Sequence, residues 1–191
     1  MFLHGLAGSG REWEALQEQV PAEAPDLRAA GTRNEYVSDV VDIIGNRRMS
    51  LIGHSLGGHT AFLVAARYPD LVDRLVVIEA GAALDAQAPE RIRALLTEHR
   101  APYGVELDPE NGARAVAETA TRDWWDEWTR IRCPVLVVRG QHGLLDQAVA
   151  DRMAVEVAWG RVVEIEGAGH DVHLDSPIDL GAAIRRFLTS V

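Results

Sequence analysis

A serine between two glycines stands where an apolar segment meets a helical pattern. Residues 53–57 read GHSLG, directly after the apolar run 49–52 and before the sequence GHTAFL of residues 58–63. This G-x-S-x-G arrangement predicts a sharp strand-to-helix turn that lifts the Ser55 hydroxyl out of a sheet. The same turn aims the next backbone N–H, that of Leu56, at the same point. The pattern therefore predicts an exposed, nucleophilic serine.

A serine hydroxyl is a weak nucleophile at neutral pH and needs a neutral imidazole nearby to accept its proton. Late in the chain, the strand-like run 162–165 is followed by EGAGH, which places His170 on a loop after a predicted strand. Early in the chain, the short apolar run 1–4 enters a glycine-rich loop at residues 5–10. In an acyl-transfer enzyme, such a loop supplies a second N–H to the oxyanion hole.

Five segments, in their order along the chain, resemble the α/β-hydrolase family: FLHGLAGSGREW, APDLR, LIGHSLGGHTAFLVAARYPDLVDRLVVIEAG, IRCPVLVVRGQHG and VEIEGAGHDVHLDSP. Each segment is common on its own, whereas all five in this order are specific for that fold. The resemblance implies a carboxylesterase-like serine hydrolase with Ser55 as the nucleophile and His170 as the general base. It also implies that the N–H groups of Leu6 and Leu56 form the oxyanion hole.

The third member of the expected triad is a carboxylate, and the sequence leaves its identity open. Most members of the family carry it shortly after the strand PVLVVRG, in a G-x-x-D arrangement, but Gly143 occupies the aspartate position here. Glu79, which ends the apolar run 75–79, is the favoured candidate, because haloalkane dehalogenase-like members place their acid after that strand. Asp146 is another, although it also suits a helix N-cap. The remaining alternative is that the chain has no true acid.

Apolar runs alternate with helical patterns, which predicts a three-layer α/β/α sandwich with a mostly parallel sheet. The predicted strands are 1–4, 49–52, 75–79, 135–139 and 162–165, with a weaker one near 22–27. The predicted helices are 12–19, 35–44, 60–68, 89–100, one or two within 109–131, and 179–188. A further helix from 147 is expected if Asp146 is an N-cap. The chain begins at what would be the family's third strand, so we expect an α/β-hydrolase fold that lacks the first two strands.

We expect a single domain over residues 1–191, with a reduced helical cap at approximately 84–118 inserted between two strands. Such a cap would cover the active site in this fold. Trp13, His142 and Trp125 are the predicted residues of the substrate pocket. For both tryptophans, packing against the core is the alternative interpretation.

The composition argues against several classes of function and partner. The formal net charge is −10, which disfavours nucleic acid and anionic membranes as partners. All 19 basic residues are arginine, so the chain offers neither a Schiff-base lysine nor a Walker A loop. No stretch approaches the about 18 apolar residues of a membrane span. We therefore expect a cytoplasmic enzyme with a small-molecule acyl substrate.

The sequence also allows expectations about metal ions, cofactors and protein partners. His170 and His173 have a spacing that suits a metal pair on a helix, but they follow a strand and two glycines, and no cluster of further ligands joins them. We therefore expect no metal ion and no cofactor. The first strand would present an open sheet edge, so a homodimer is a hypothesis. The alternative from another class is a catalytically weak or inactive protein of the same fold that binds a ligand or acts as a scaffold.

Overall fold

The computed structural model describes residues 1–6, 8–28, 32–83 and 122–190. Its sheet contains five strands: β1 (Phe2–Leu3), β2 (Met49–His54), β3 (Val72–Ile78), β4 (Val135–Gly140) and β5 (Gly160–Ile165). All neighbouring strands are parallel, and their order in the sheet is their order along the chain. The five principal predicted strands are confirmed.

The weaker strand predicted near 22–27 does not form, and that prediction is wrong. The segment contains Pro25 and directly follows Pro21, and prolines have no N–H group to donate to a ladder. One of its carbonyl groups, that of Glu23, accepts a hydrogen bond of 2.7 Å from the N–H of Phe2. The segment therefore covers part of the outer edge of β1 as irregular chain.

The central strands bury both of their faces. Leu75 and Val77 of β3 pack in one hydrophobic cluster, whereas Val76 and Ile78 pack in the other. Successive side chains on a strand point to opposite faces of the sheet, so an apolar residue at every position produces two cores. Helices cover both cores, and the predicted three-layer sandwich is confirmed.

One face of the sheet is covered by α2 (Arg33–Ile44), α3 (Leu56–Arg67), α4 (Trp125–Trp128) and α5 (Gln147–Val155). The other face is covered by a 3-10 turn (Gly10–Trp13) with α1 (Glu14–Gln17), and by α6 (Val172–Asp175) with α7 (Pro177–Thr189). A second 3-10 turn, Pro69–Leu71, leads into β3. These elements confirm the helices predicted near 12–19, 35–44, 60–68, 147 and 179–188, with shifted ends. The four-residue helix α6 was missed because it is too short to show a period.

The predicted cap at 84–118 and the predicted helix at 89–100 lie outside the described residues. Of the region 109–131, the structure describes α4 and its flanks, where Trp124 and Trp128 are buried in the core. None of the helices that the structure describes is long and apolar enough to span a membrane.

Candidate active site

Ser55 stands at the N-cap position of α3, directly after β2. Its backbone has φ 49° and ψ −115°, a conformation that residues other than glycine rarely adopt. The Ser55 N–H donates to the carbonyl of Ile78, and the Ser55 carbonyl accepts from the N–H of His59, both at 2.9 Å. A Cβ at Gly53 would lie 2.3 Å from the carbonyl oxygen of Gly57, so this turn requires glycine. The predicted strand-to-helix turn is present.

Glu79 follows β3 as Ser55 follows β2, because His54 and Ile78 are register partners in adjacent strands. Glu79 has φ 52°, and among the described residues it and Ser55 are the two non-glycine residues with a positive φ. Backbone strain of this kind costs about 1–3 kcal/mol per residue and persists where the surrounding structure over-determines it. Two strained residues thus lie side by side at the carboxyl edge of the sheet, and sequence reasoning missed the strain at Glu79.

The Glu79 carboxylate faces the imidazole of His170. Oε2 of Glu79 lies 3.2 Å from Nδ1 of His170, and the Glu79 side chain is fully buried. The N–H of Gly140 donates to Oε1 at 2.8 Å, and those of Leu144 and Leu145 donate to Oε2 at 2.5 and 3.1 Å. These three donors replace water around the negative charge. The contact favours the tautomer with Nδ1 protonated, which leaves Nε2 of His170 able to accept a proton.

Gly143, in the position where an aspartate was expected, lies against the same carboxylate. A Cβ at Gly143 would stand 2.1 Å from Oε1 and 2.4 Å from Oε2 of Glu79. Contacts that short do not occur in folded proteins, so a side chain at this position and the observed Glu79 conformation exclude each other. The glycine therefore belongs to the arrangement that brings the carboxylate from β3.

Asp146, the alternative acid, has a different set of contacts. It is the N-cap of α5, where its Oδ1 accepts from the N–H groups of Ala148 at 2.9 Å and Val149 at 3.2 Å. Its side chain is exposed. An aspartate that accepts these helix N–H groups is a normal N-cap. The carboxylate in contact with His170 is that of Glu79.

The loop after β1 lies against the serine turn. A Cβ at Gly5 would be 3.5 Å from the Cβ of Ser55. The Gly5 carbonyl accepts from the N–H of Gly8 at 3.2 Å and lies 2.8 Å from Nδ1 of His4. The N–H of Leu27 donates to Nε2 of His4 at 2.9 Å, so Nδ1 is the protonated nitrogen and donates to Gly5. The Gly5 carbonyl is therefore held by two donors.

Leu6 and Leu56, the predicted oxyanion donors, lie on these two elements. In a trans peptide, the Leu6 N–H points away from the Gly5 carbonyl, so the bonds that hold the carbonyl also set the direction of that N–H. Leu56 is the first residue of α3, and the first N–H groups of a helix have no intrahelical partner. The Leu56 N–H belongs to the residue that follows Ser55. The Leu6 N–H belongs to the loop that contacts the Ser55 turn.

The ring of His54 packs against the rings of His170 and His173, with centroids 4.8 and 4.5 Å away. Nε2 of His54 donates to the backbone carbonyl of His170 at 2.9 Å. Burial lowers the pKa of His54 well below its ordinary value. The neighbouring His173 and His170 lower it further. His54 is therefore a neutral donor that ties the His170 loop to the end of β2.

Two groups of described residues have the composition of a metal site: Glu12 with His54 and His173, and His54 with His170 and Asp171. Within each group the candidate ligand atoms lie within 4.8 Å of one another. The sequence expectation of no metal ion considered only the pair His170 and His173. It missed Glu12 because no spacing relates a residue near the start of the chain to two distant histidines.

Comparison with known proteins identifies the family of this chain. The alpha/beta hydrolase family matches residues 1–184. The chain belongs to this family. The match covers every strand of the sheet and the segments that carry Ser55, Glu79 and His170, so it confirms the resemblance seen in the sequence.

Several relatives of this alpha/beta hydrolase carry the names of hydrolases. Lipase LipV of Mycobacterium tuberculosis is 33% identical over 66% of this chain, and the chain spans 51% of that lipase. The 2-(acetamidomethylene)succinate hydrolase of Mesorhizobium japonicum is 25% identical over 98% of this chain and 87% of that protein. The crystal structure of E-2-(acetamidomethylene)succinate hydrolase has a TM-score of 0.84 at 22% identity, over 99% of this chain and 90% of that one. At that identity, the solved structure shows the fold alone.

The two tryptophans predicted for the substrate pocket of this hydrolase pack against other parts of the chain. Trp13 is fully buried, and its ring stacks on that of Phe2 with centroids 4.8 Å apart. Trp125 is half-buried, and the guanidinium of Arg152 lies 3.8 Å above its ring. Packing, the alternative interpretation, therefore describes both residues.

His142 is the predicted pocket residue that lies beside the site. Its side chain is exposed, and its N–H donates to the carbonyl of Ala168, on the loop that leads to His170.

A cavity of about 340 Å³ opens at the opposite edge of the sheet, where β3 and β4 begin. It is lined by Arg74, Pro134, Trp159, Arg161, Phe187 and Ser190.

Proposed function

We propose that this alpha/beta hydrolase is a serine hydrolase that cleaves a small carboxylic ester or a related acyl substrate. Ser55 is the nucleophile, His170 the general base and Glu79 the acid of the triad. The observation that carries the proposal is the contact of 3.2 Å between Glu79 Oε2 and His170 Nδ1, at the same sheet edge as the strained Ser55 turn. The hydrolase names of the relatives support the general class of reaction.

In the first half of the reaction, Nε2 of His170 takes the proton of the Ser55 hydroxyl as its oxygen attacks the carbonyl carbon. The carbonyl oxygen becomes an oxyanion that the N–H groups of Leu6 and Leu56 stabilise. Loss of one such donor costs about 3–4 kcal/mol of activation free energy in comparable sites. His170 then gives its proton to the departing alcohol, and an acyl-enzyme on Ser55 remains.

In the second half, His170 takes a proton from water, which attacks the acyl-enzyme and releases the acid. Glu79 acts throughout by holding Nδ1 of His170 protonated and by stabilising the imidazolium ion that forms twice in each cycle. Its carboxylate is suited to this role because three backbone N–H groups hold it in place. None of these steps uses a metal ion or a cofactor.

The experiment is intact-mass measurement after treatment with a fluorophosphonate, which reacts quickly only with an activated serine that faces an oxyanion hole. The natural chain should gain one adduct. Ser55→Ala should gain none, and His170→Ala should react at least about a thousandfold more slowly, because the serine loses its base. Circular dichroism should show that all three chains are folded.

The matched control is Ser38→Ala, which removes the hydroxyl of an exposed serine on α2 and should leave the labelling rate within about twofold. A folded natural chain that does not react would contradict the proposal, and so would an adduct that persists in Ser55→Ala. If labelling succeeds, a panel of esters, thioesters, lactones and amides then identifies the class of acyl substrate.

A further inference from the structure

A buried carboxylate lies directly against the loop that carries the Leu6 N–H. Glu12 belongs to the 3-10 turn Gly10–Trp13 and is 6% exposed. Its Oε1 accepts from the N–H of Gly5 at 3.2 Å, and a Cβ at Gly8 would lie 2.2 Å from its Oε2. The carboxylate therefore occupies the space between Gly5 and Gly8, and the close approach at Gly8 requires a glycine.

His173 faces this carboxylate from the other end of the chain. Its Nε2 lies 3.5 Å from Oε1 of Glu12, and its side chain is 1% exposed. The ring of His173 packs between the rings of Trp13 and His54, with centroids 4.6 and 4.5 Å away. Burying a carboxylate is costly unless hydrogen-bond donors or charges compensate for the lost water. Here the Gly5 N–H donates to the carboxylate, and the His173 imidazole lies against it at 3.5 Å without a hydrogen bond.

The pair connects the two loops that the proposed reaction must hold in register. Glu12 holds the N–H of Gly5, while His4 and Gly8 hold its carbonyl, so both peptide groups that flank Gly5 are fixed. The second of these peptide groups carries the Leu6 N–H. His173 stands on α6, which directly follows the loop of His170. Movement of the pair would therefore shift the Leu6 N–H relative to Ser55.

We propose that Glu12 and His173 are positioning residues that fix the oxyanion loop, and this inference rests on the proposed serine-hydrolase function. They touch no reacting atom and act through the Gly5–Leu6 peptide. A metal centre is the competing role for Glu12, His54 and His173. Against it, Oε1 of Glu12 already accepts from Gly5 and Nε2 of His54 already donates to the carbonyl of His170. Both ring nitrogens of His173 are buried without a hydrogen-bond partner, so the metal assay below is part of the test.

The kinetic test compares Glu12→Ala, Glu12→Gln and the matched control Glu14→Ala. Glu14 is the neighbouring acid, 70% exposed, and faces Arg11 on the surface. Glu12→Ala should lower kcat on the best ester about 10- to 100-fold with KM within about threefold, because the oxyanion forms only in the transition state. Glu12→Gln, whose amide oxygen can still accept from Gly5, should recover most of the loss, and Glu14→Ala should match the natural chain.

A second measurement, amide hydrogen exchange of the peptide that covers residues 1–13, does not depend on activity. Exchange at Gly5 and Leu6 should be at least about tenfold faster in Glu12→Ala than in Glu14→Ala, because the loop loses its buried acceptor. A folded Glu12→Ala chain with unchanged kcat, or with unchanged exchange, would overturn the inference. Failure of the proposed function has a different signature: the natural chain itself would not react with the fluorophosphonate.

A metal assay distinguishes the positioning role of Glu12 and His173 from a metal centre. Elemental analysis of the purified natural chain should find less than about 0.1 equivalent of zinc, nickel or cobalt, since Oε1 of Glu12 and Nε2 of His54 are already bonded to backbone groups. One equivalent of a metal ion that is lost in Glu12→Gln would replace the positioning pair by a metal centre and overturn the inference.

Discussion

The ends of β3 and β4 lie side by side at the same edge of the sheet. They contribute differently to the carboxylate that faces His170. The end of β3 carries Glu79, whose carboxylate reaches His170. The end of β4 carries a loop with glycine at the expected acid position, and this loop contributes backbone N–H groups to the carboxylate of its neighbour. One strand end supplies the charge, and the other supplies the space and the hydrogen bonds that hold it.

The absence of a carboxylate at one position can be evidence that a neighbouring strand supplies it. A side chain at Gly143 would collide with the carboxylate of Glu79. Read alone, Gly143 indicates a degenerate site. Read together with Glu79, it indicates a site in which the acid comes from the adjacent strand, because the two side chains would need the same volume.

The largest expected effect is that of removing the carboxylate from β3. Glu79→Ala should lower kcat about 10³- to 10⁴-fold, because the His170 imidazole loses both its tautomer preference and the partner of its positive charge. The rate of ester hydrolysis at saturating substrate measures it. Asp146→Ala serves as the control and should be far less affected. The reverse ranking of the two variants would overturn the assignment of Glu79.

The second test moves the acid from β3 to β4. Gly143→Asp alone should destabilise the fold and lower activity, because its side chain collides with Glu79 and adds a like charge. In the Glu79→Ala background that volume is empty, so Gly143→Asp should raise kcat about 10-fold over Glu79→Ala alone. A double variant that is no better than Glu79→Ala, although folded, would show that the end of β4 cannot present an acid to His170.

The third test asks whether the turn at the end of β2 is strained. Ser55→Gly should raise the free energy of unfolding by about 1 kcal/mol over Ser55→Ala, because glycine adopts φ 49° without a Cβ clash. Thermal melting should show a Tm about 2–4 °C higher for the glycine variant. Equal Tm values for the two variants would mean that the turn stores no strain, and the parallel drawn between Ser55 and Glu79 would fail.

Much of the fold could be predicted because its signals are local. Strands buried on both faces read as continuous apolar runs, and the G-x-S-x-G turn contains the small residues that its close backbone contacts need. His170 could be predicted for the same reason, since it follows a strand and two glycines. The segment 22–27 misled because its apolar residues outweighed its prolines in the pattern.

The sequence favoured Glu79 as the acid but left Asp146 open. The contact of Glu79 with His170 joins residues at opposite parts of the chain, and it depends on which strands are neighbours. The collision between Gly143 and Glu79 is likewise visible only once β3 and β4 are paired. Trp13 and Trp125 show the same limit, because a motif gives the residue and its element but not the direction of its ring.

The smallest expected effect concerns Asp146. Replacement of one carboxylate oxygen by an amide nitrogen distinguishes a helix cap from a triad acid. A cap needs only an oxygen that accepts from helix N–H groups, so Asp146→Asn should leave Tm nearly unchanged, whereas Asp146→Ala should cost about 1 kcal/mol. A triad acid needs a negative charge, so Glu79→Gln should lose most of the activity that Glu79→Ala loses. Thermal melting and kcat on all four variants test both statements. If Asp146→Asn lost activity while Glu79→Gln kept it, the functional carboxylate would lie after β4, and the division of labour between the two strand ends would be reversed.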